Sequence, residues 1–111
     1  MPTESQLIEV LRLDPNDPVT HFALGAHYRD HGQSAKAIEH FRRAAELKPE
    51  YSAAWFELAR TAEDSGDFEA ARAAYKGAMN ASDSTGDDHI LKAARVRLEK
   101  LARKLQNPAR G

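Results

Sequence analysis

The sequence predicts an all-α fold, in which antiparallel helix pairs stack side by side and a last helix covers the end of the stack. Three observations predict it: an internal repeat, apolar residues that recur at spacings of three and four, and glycines placed where helices would turn. A shift of 34 residues aligns Leu24 with Leu58 and Gly32 with Gly66. Large apolar residues three and four apart lie on one helical face, so each unit forms two amphipathic helices.

Capping residues mark the first helices. Thr3 with Gln6 three residues later fits a capping box that opens a short helix over 3–13. In the repeat register this helix is a half repeat, the second helix of a pair without its first. Asp17 followed by Pro18 opens the first complete unit, 18–51, in which Gly32 separates the two helices.

The second complete unit, 52–85, also has a turn glycine and a capping residue between its two helices. Gly66 closes its first helix and Asp67 caps its second, which is expected to end near Ala81 and to be followed by a polar loop over 80–87. A capping helix over 87–105 has no glycine or proline at the turn position and is expected to continue straight through. Residues 106–111 are expected to form a frayed tail.

Composition bounds the class of protein. The 111 residues are 41% apolar and 30% charged and contain no cysteine, which favours one domain over 1–111 without disulfides or a thiolate metal site. No apolar run approaches the roughly 20 residues that span a bilayer. The amino end lacks a basic segment followed by an apolar stretch, so we expect a cytoplasmic protein.

The repeated positions carry a family resemblance. They are Leu24, Gly25, Tyr28, Ala37, Phe41, Ala44 and Pro49 in the first unit and Trp55, Leu58, Ala59, Ala71, Tyr75 and Ala78 in the second. This pattern resembles the tetratricopeptide repeat, with departures at His21, Ala62 and Asp83. The resemblance covers the chain apart from its last few residues. It implies a helix-turn-helix solenoid, a superhelical stack of antiparallel helix pairs with a C-terminal capping helix.

The resemblance also implies protein or peptide binding, because in similar domains the first helix of each unit lines a concave groove. Carried over position by position, the groove residues include Val19, Phe22, Ala26, Arg29, Phe56, Arg60, Glu63, Ile90 and Arg97. Arginines pair bidentately with carboxylates and aromatic residues supply anchor area, so a short peptide with acidic and apolar residues fits this set. The alternative is that the phenylalanines pack between helices while the arginines are solvated or pair with Asp30, Glu63 and Asp64.

One functional subtype of the family does not match. Similar domains that hold the acidic carboxy-terminal tails of chaperones use one lysine and two asparagines at three set positions. Here Phe22, Ala26 and Glu57 occupy those positions. An aromatic ring, a methyl group and a like charge cannot hold a terminal carboxylate, so we expect no such clamp in this register.

The charge distribution leaves a second function open. Residues 1–91 carry nine basic and sixteen acidic side chains, whereas residues 92–111 carry seven basic and one acidic. A basic last helix could contact phosphate, which makes a nucleic-acid-binding module the alternative function. Against it, the segment has no aromatic residue for base stacking and no recognised motif.

The last helix also carries an apolar stripe. The stripe consists of Leu91, Ala94, Leu98, Leu101 and Leu105, at alternating spacings of three and four. We expect its second half to extend beyond the helices of about fourteen residues on which it packs. Leu98, Leu101 and Leu105 are therefore a candidate homodimer seam.

The sequence offers few residues arranged for catalysis or metal binding. His27 and His31 lie four apart on one helix, but a metal site needs a third or fourth donor, so we expect no metal. No nucleophile elbow, phosphate loop or dinucleotide fingerprint occurs. We therefore expect no enzyme and no cofactor, and the predicted function is a non-catalytic protein-interaction module.

Overall fold

The computed structural model describes residues 1–106, which form six α-helices in an elongated stack measuring 46 × 31 × 20 Å. The helices are α1 (Glu4–Leu13), α2 (Pro18–Asp30), α3 (Ser34–Leu47), α4 (Ser52–Asp64), α5 (Phe68–Thr85) and α6 (Asp88–Gln106). The expected frayed tail over 106–111 lies outside the described residues apart from Gln106, which is the last residue of α6.

The helix starts follow from side chains that bind free backbone N–H groups. Thr3 and Gln6 form the predicted capping box: the Gln6 N–H donates to Thr3 Oγ1 at 3.2 Å, and the Thr3 N–H donates to Gln6 Oε1 at 2.9 Å. Asp17 accepts from the Val19 N–H at the start of α2, and Asp67 accepts from the Ala70 N–H at the start of α5.

Glycines end the first helix of each pair. Gly32 and Gly66 have φ values of 73° and 86°, in the left-handed region that side chains with a Cβ rarely adopt. Both lie in the three-residue turns that join α2 to α3 and α4 to α5. The chain therefore reverses at these two points, which places the helices of each unit side by side.

The end of α5 differs from the expectation of a polar loop over 80–87. The helix continues to Thr85 and ends at Gly86, which has a φ of 75°. Ala81 and Ser82 are 4% and 1% exposed, so packing against the rest of the chain favours the helix over the turn preference of the local residues. The Ser84 and Thr85 hydroxyls bind carbonyl oxygens one turn back, which also lets these polar residues remain helical.

Each helix contacts the next along the chain, and α4 also contacts α6. The core between the helices is built mainly from alanines around two large rings, Phe41 and Tyr75, both 0% exposed. Gly25 faces the Phe41 ring so closely that a Cβ there would lie 2.7 to 2.9 Å from three ring atoms. The small residues of the repeat therefore permit the close approach of helices that the sequence pattern predicts.

The C-terminal half of α6 is covered, which corrects the expectation of an overhanging seam. Leu101 is 1% exposed and belongs to the core, and Leu98 and Leu105 are half-buried and pack against it. The reason is the length of α5: at 18 residues it nearly matches the 19 residues of α6 instead of the fourteen expected. The apolar stripe packs against the core of the same chain. Leu98, Leu101 and Leu105 therefore do not form an uncovered dimer seam.

Candidate binding face

Side chains of α2 and α4 meet at a half-buried carboxylate. Glu57 forms an ion pair with Arg29 of α2 and lies 3.0 Å from Arg60 Nη1, one turn further along α4. The Glu57 side chain is only 17% exposed, whereas those of Arg29 and Arg60 are 31% and 42% exposed. One recessed carboxylate thus holds two guanidinium groups of the predicted groove side by side.

Side chains of α4, α5 and α6 meet at a second carboxylate. Glu63 accepts a hydrogen bond from the Tyr75 hydroxyl at 2.6 Å, and Arg97 Nη1 lies 3.7 Å from the same oxygen. The Arg97 guanidinium also lies over the Phe56 ring, 5.9 Å from its centroid, and Phe56 packs edge-on against Tyr75. This cluster unites three of the predicted groove residues, Phe56, Glu63 and Arg97.

The surroundings of Tyr75, which is 0% exposed, change the pKa of its hydroxyl. Burial raises the pKa of the Tyr75 hydroxyl, and the hydrogen bond to Glu63 raises it further, while Arg97 acts in the opposite direction. The hydroxyl therefore stays protonated and continues to donate to Glu63 across the neutral pH range. A fixed donor of this kind orients the carboxylate toward Arg97.

The remaining predicted groove residues occupy more varied positions. Phe22 is half-buried, edge-on to Phe41 and stacked on Tyr51 with ring centroids 5.2 Å apart, so it packs between helices as the alternative interpretation proposed. Ala26 and Ile90 are half-buried against the core. Val19 is 59% exposed.

We refer to Arg29, Phe56, Glu57, Arg60, Glu63 and Arg97 as the arginine face. Beside it, Glu63 and Arg97 line an open cleft of about 530 Å³ together with Lys92, Ala93, Val96 and Lys100. The cleft combines ammonium and guanidinium groups with a small apolar surface, and Val96 within it is 50% exposed. The same region of the fold therefore offers positive charge and apolar contact together.

Sequence reasoning missed one residue of this face, Glu57, and the Tyr75 hydroxyl that binds Glu63. Glu57 was considered only as a departure from the chaperone-tail clamp, although its position three residues before Arg60 is a helical ion-pair spacing. The Tyr75 hydroxyl was missed because the repeat pattern accounts for the ring as core. The spacing could have identified the Glu57–Arg60 pair, whereas the contacts to Arg29 and Tyr75 depend on how the helices stack.

The histidines at helical metal-ligand spacing make other contacts. His31 Nδ1 lies 2.8 Å from the His27 carbonyl oxygen, and His27 Nε2 lies 3.6 Å from Glu4 Oε2. Within residues 1–106, the structure brings no three potential ligands together for a metal ion. His27 therefore faces α1, and His31 binds the end of its own helix.

The basic last helix is partly engaged by its neighbours. Lys104 Nζ lies 4.9 Å from the centroid of the Phe68 ring, and Arg97 pairs with Glu63.

No helix in the described part of the chain is both long and apolar enough to cross a bilayer.

Comparison with known proteins defines the class. The family model of the tetratricopeptide repeat matches residues 22–85, more than half of the chain. The chain belongs to the tetratricopeptide repeat family, whose fold serves protein–protein interaction.

Two relatives and two solved structures illustrate the similarity. The TPR repeat-containing protein PA0015 of Pseudomonas aeruginosa is 33% identical over 97 residues, 87% of this chain and 92% of its own length. The co-chaperone sgt12 of Aspergillus fumigatus is 31% identical over 103 residues, which are 93% of this chain but 29% of that protein.

Among solved structures, protein BPP2914 of Bordetella parapertussis has a TM-score of 0.74 at 33% identity, covering 94% of this chain and 91% of that one. The protein PcrH, in complex with the chaperone-binding region of PopD, has a TM-score of 0.84, covering 90% of this chain and 76% of that one. Its sequence identity of 18% makes this a likeness of fold.

Proposed function

We propose that this protein is a non-catalytic interaction module whose arginine face binds a segment of another protein that carries acidic and apolar residues. The observation that carries the proposal is the arrangement of charge. Three half-buried arginines are paired with two carboxylates that lie deeper than they do: the side chains of Glu57 and Glu63 are 17% and 22% exposed, against 31% to 42% for Arg29, Arg60 and Arg97.

This arrangement prepares the arginines for a ligand. A guanidinium has five N–H donors, so pairing with a recessed glutamate leaves donors free for a second carboxylate. An arginine already held by its neighbour also loses less side-chain freedom when a ligand arrives. We therefore expect acidic side chains of the partner to bind beside Glu57 and Glu63, on the solvent side of the arginines.

Apolar contact comes from the same face. Phe56 lies beneath Arg97, and the adjoining cleft includes the exposed side chain of Val96. Aromatic and arginine side chains are the residue types that dominate binding energy at protein interfaces. An apolar partner residue beside an acidic one would therefore fit this region.

The relatives support the class of partner. One relative is named as a heat-shock cognate co-chaperone, and PcrH is a structural neighbour solved with a segment of PopD. A chaperone carboxy-terminal tail is not the partner we propose for this chain. Phe22 and Ala26 offer its terminal carboxylate no polar group, and the Glu57 carboxylate, which pairs with Arg29 and Arg60, has no proton to donate to it.

The test is affinity capture from native lysate with the wild type and the double variant Phe56→Ala/Arg60→Glu side by side. We expect the variant to lose the captured partner while its helical circular dichroism is unchanged. The change removes the ring beneath Arg97 and places a second carboxylate beside Glu57. Equal capture by both proteins would contradict the proposed face.

Two further variants test which surface binds the partner. Arg72→Glu makes the same charge change on α5, outside the arginine face, and is expected to retain the partner. Arg103→Glu/Lys104→Glu tests the alternative of nucleic-acid binding through α6. If that variant, or nuclease treatment of the lysate, abolishes a salt-sensitive capture that Phe56→Ala/Arg60→Glu retains, the partner is nucleic acid and the proposal is wrong.

A further inference from the structure

Two histidines meet between α2 and α3, outside the arginine face. The Nδ1 atoms of His21 and His40 lie 3.1 Å apart, and the rings stack with centroids 5.4 Å apart. His21 is 8% exposed, and His40 also stacks on the Tyr28 ring. His21 occupies a repeat position where the family usually has a large apolar residue, so this contact is an addition of this chain to the repeat pattern.

The hydrogen bonds determine which nitrogens carry protons. His21 Nε2 lies 2.9 Å from the Pro15 carbonyl oxygen, which can only accept, so His21 carries its proton on Nε2. Neutral His21 then has a bare Nδ1, and the contact between the two Nδ1 atoms requires that His40 donates from Nδ1. The neutral pair thus has one defined arrangement, with His40 as donor and His21 as acceptor.

We propose that His21 and His40 form a proton-sensitive clasp, which holds α2, α3 and the α1–α2 connection together when both imidazoles are neutral and loosens on acidification. The clasp spans three parts of the chain, because His21 also binds Pro15 in the connection. Arg43 Nη2 supports the same connection by donating to Asn16 Oδ1 at 3.0 Å. Opening the histidine pair would therefore remove the link between α3 and the His21–Pro15 bond, while the Arg43 bond to the connection would remain.

Protonation is limited by the geometry of the pair. A first proton can bind the free Nε2 of His40 and leave its Nδ1–H bond to His21 intact. A second proton would have to bind His21 Nδ1, where it would face the His40 Nδ1–H group at 3.1 Å. The contact between the two Nδ1 atoms therefore cannot persist when both rings are charged, because both atoms would then be donors.

The surroundings oppose even the first proton. Burial and then the neighbouring His21 lower the pKa of His40, and Lys36 lowers it further, while Glu39 acts in the opposite direction. Charged groups from α3 line the open cleft of about 310 Å³ around the pair: Glu39, Arg42, Arg43 and Glu46. The cleft gives solvent protons access to His40.

The lowered pKa of His40 determines how stability changes with pH. A histidine whose pKa is lowered by folding contributes stability above the pKa of the unfolded side chain, about 6.5, and this stability is lost as pH falls. For each proton that the unfolded chain binds in excess, the unfolding equilibrium constant rises by up to about tenfold per pH unit. We therefore expect the α2–α3 hairpin to weaken below neutral pH.

The first test is urea unfolding between about pH 7.5 and 5 of the wild type and of His21→Leu/His40→Leu, a paired apolar replacement that removes both imidazoles together. It leaves the Pro15 carbonyl oxygen without its donor, a loss that does not depend on pH in this range. We expect the wild type to lose stability over this range more steeply than the double variant. His89→Gln, a change at an exposed histidine, is the control and should keep the wild-type pH dependence. The His27–Glu4 pair is present in all three proteins and cancels in the comparison. Equal slopes for the wild type and the double variant would overturn the proposal.

A second measurement uses the wild type alone, so it does not depend on how well a variant folds. Long-range proton–nitrogen NMR spectra at neutral pH should show His21 protonated on Nε2 and His40 protonated on Nδ1. His40 protonated on Nε2 instead, with a bare Nδ1, would exclude the clasp.

Discussion

Helix α6 covers the core partly through Leu101. The sequence pattern assigned this side chain to a candidate dimer seam. Leu101 is 1% exposed and packs in the same core as Tyr75 and the alanines of α5. We predict that Leu101→Ala lowers the free energy of unfolding by about 2–5 kcal/mol, the range for a buried leucine that leaves a cavity. A domain of this size has roughly 5–15 kcal/mol in total, so the loss is a large share.

The assay is urea unfolding followed by far-ultraviolet circular dichroism at several protein concentrations. Val96→Ala is a matched control on the same helix. Val96 is 50% exposed, and alanine is the better helix former, so we expect a change within about 0.5 kcal/mol.

Two results would contradict the predicted burial of Leu101. The first is a Leu101→Ala variant as stable as the Val96→Ala control, because a buried leucine cannot be removed at no cost. The second is a wild-type stability that rises with protein concentration and loses this dependence in Leu101→Ala, because that behaviour indicates a dimer held by Leu101.

The remaining predictions concern close packing and alkaline pH. Gly25→Ala places a Cβ 2.7 Å from the nearest atom of the Phe41 ring, which is 0% exposed, and we expect a net loss of up to about 2 kcal/mol in urea unfolding despite the better helix propensity of alanine; a more stable variant would contradict the packing. Burial and the bond to Glu63 raise the pKa of Tyr75, so its contribution to stability is fully present below about pH 10 and is lost as pH rises further. Tyr75→Phe should flatten this alkaline decline, and an equal decline in both proteins would show that Tyr75 is not its source.

Local signals determined most of the fold. The capping box at Thr3 and Gln6, the Asp17 cap and the turn glycines act within a few residues of each other, so the sequence alone places those helix ends. The end of α5 could not be placed in this way. Residues 80–85 are polar and typical of turns, and they are helical because Ala81 and Ser82 are buried by the rest of the fold.

The error at α5 propagated to α6. A shorter α5 implied an overhang at Leu101 and Leu105, whereas the longer helix covers both. An assignment of exposure on one helix depends on the length of its neighbour, and that length was set by tertiary packing. The expectation of an uncovered seam was therefore a consequence of one misplaced helix end.

The candidate face was predictable in composition but not in pairing. The repeat register identified Phe56, Arg60, Glu63 and Arg97, and the structure brings Phe56, Glu63 and Arg97 into one cluster. That Glu57 holds both Arg29 and Arg60 depends on the distance between α2 and α4, which repeat spacing does not specify. The histidine pair was missed for the same reason, because His21 and His40 are 19 residues apart on different helices.

The central claim is that the arginine face receives the partner. The most direct measurement is a map of backbone amide chemical shifts of the isotope-labelled protein, recorded while the captured partner segment is added. We predict that the largest changes fall at Arg29, Phe56, Arg60 and Arg97, with little change at Trp55 and Asn80, which line a separate cleft between α4 and α5. Changes concentrated at that separate cleft, or along Arg103 and Lys104, would contradict it.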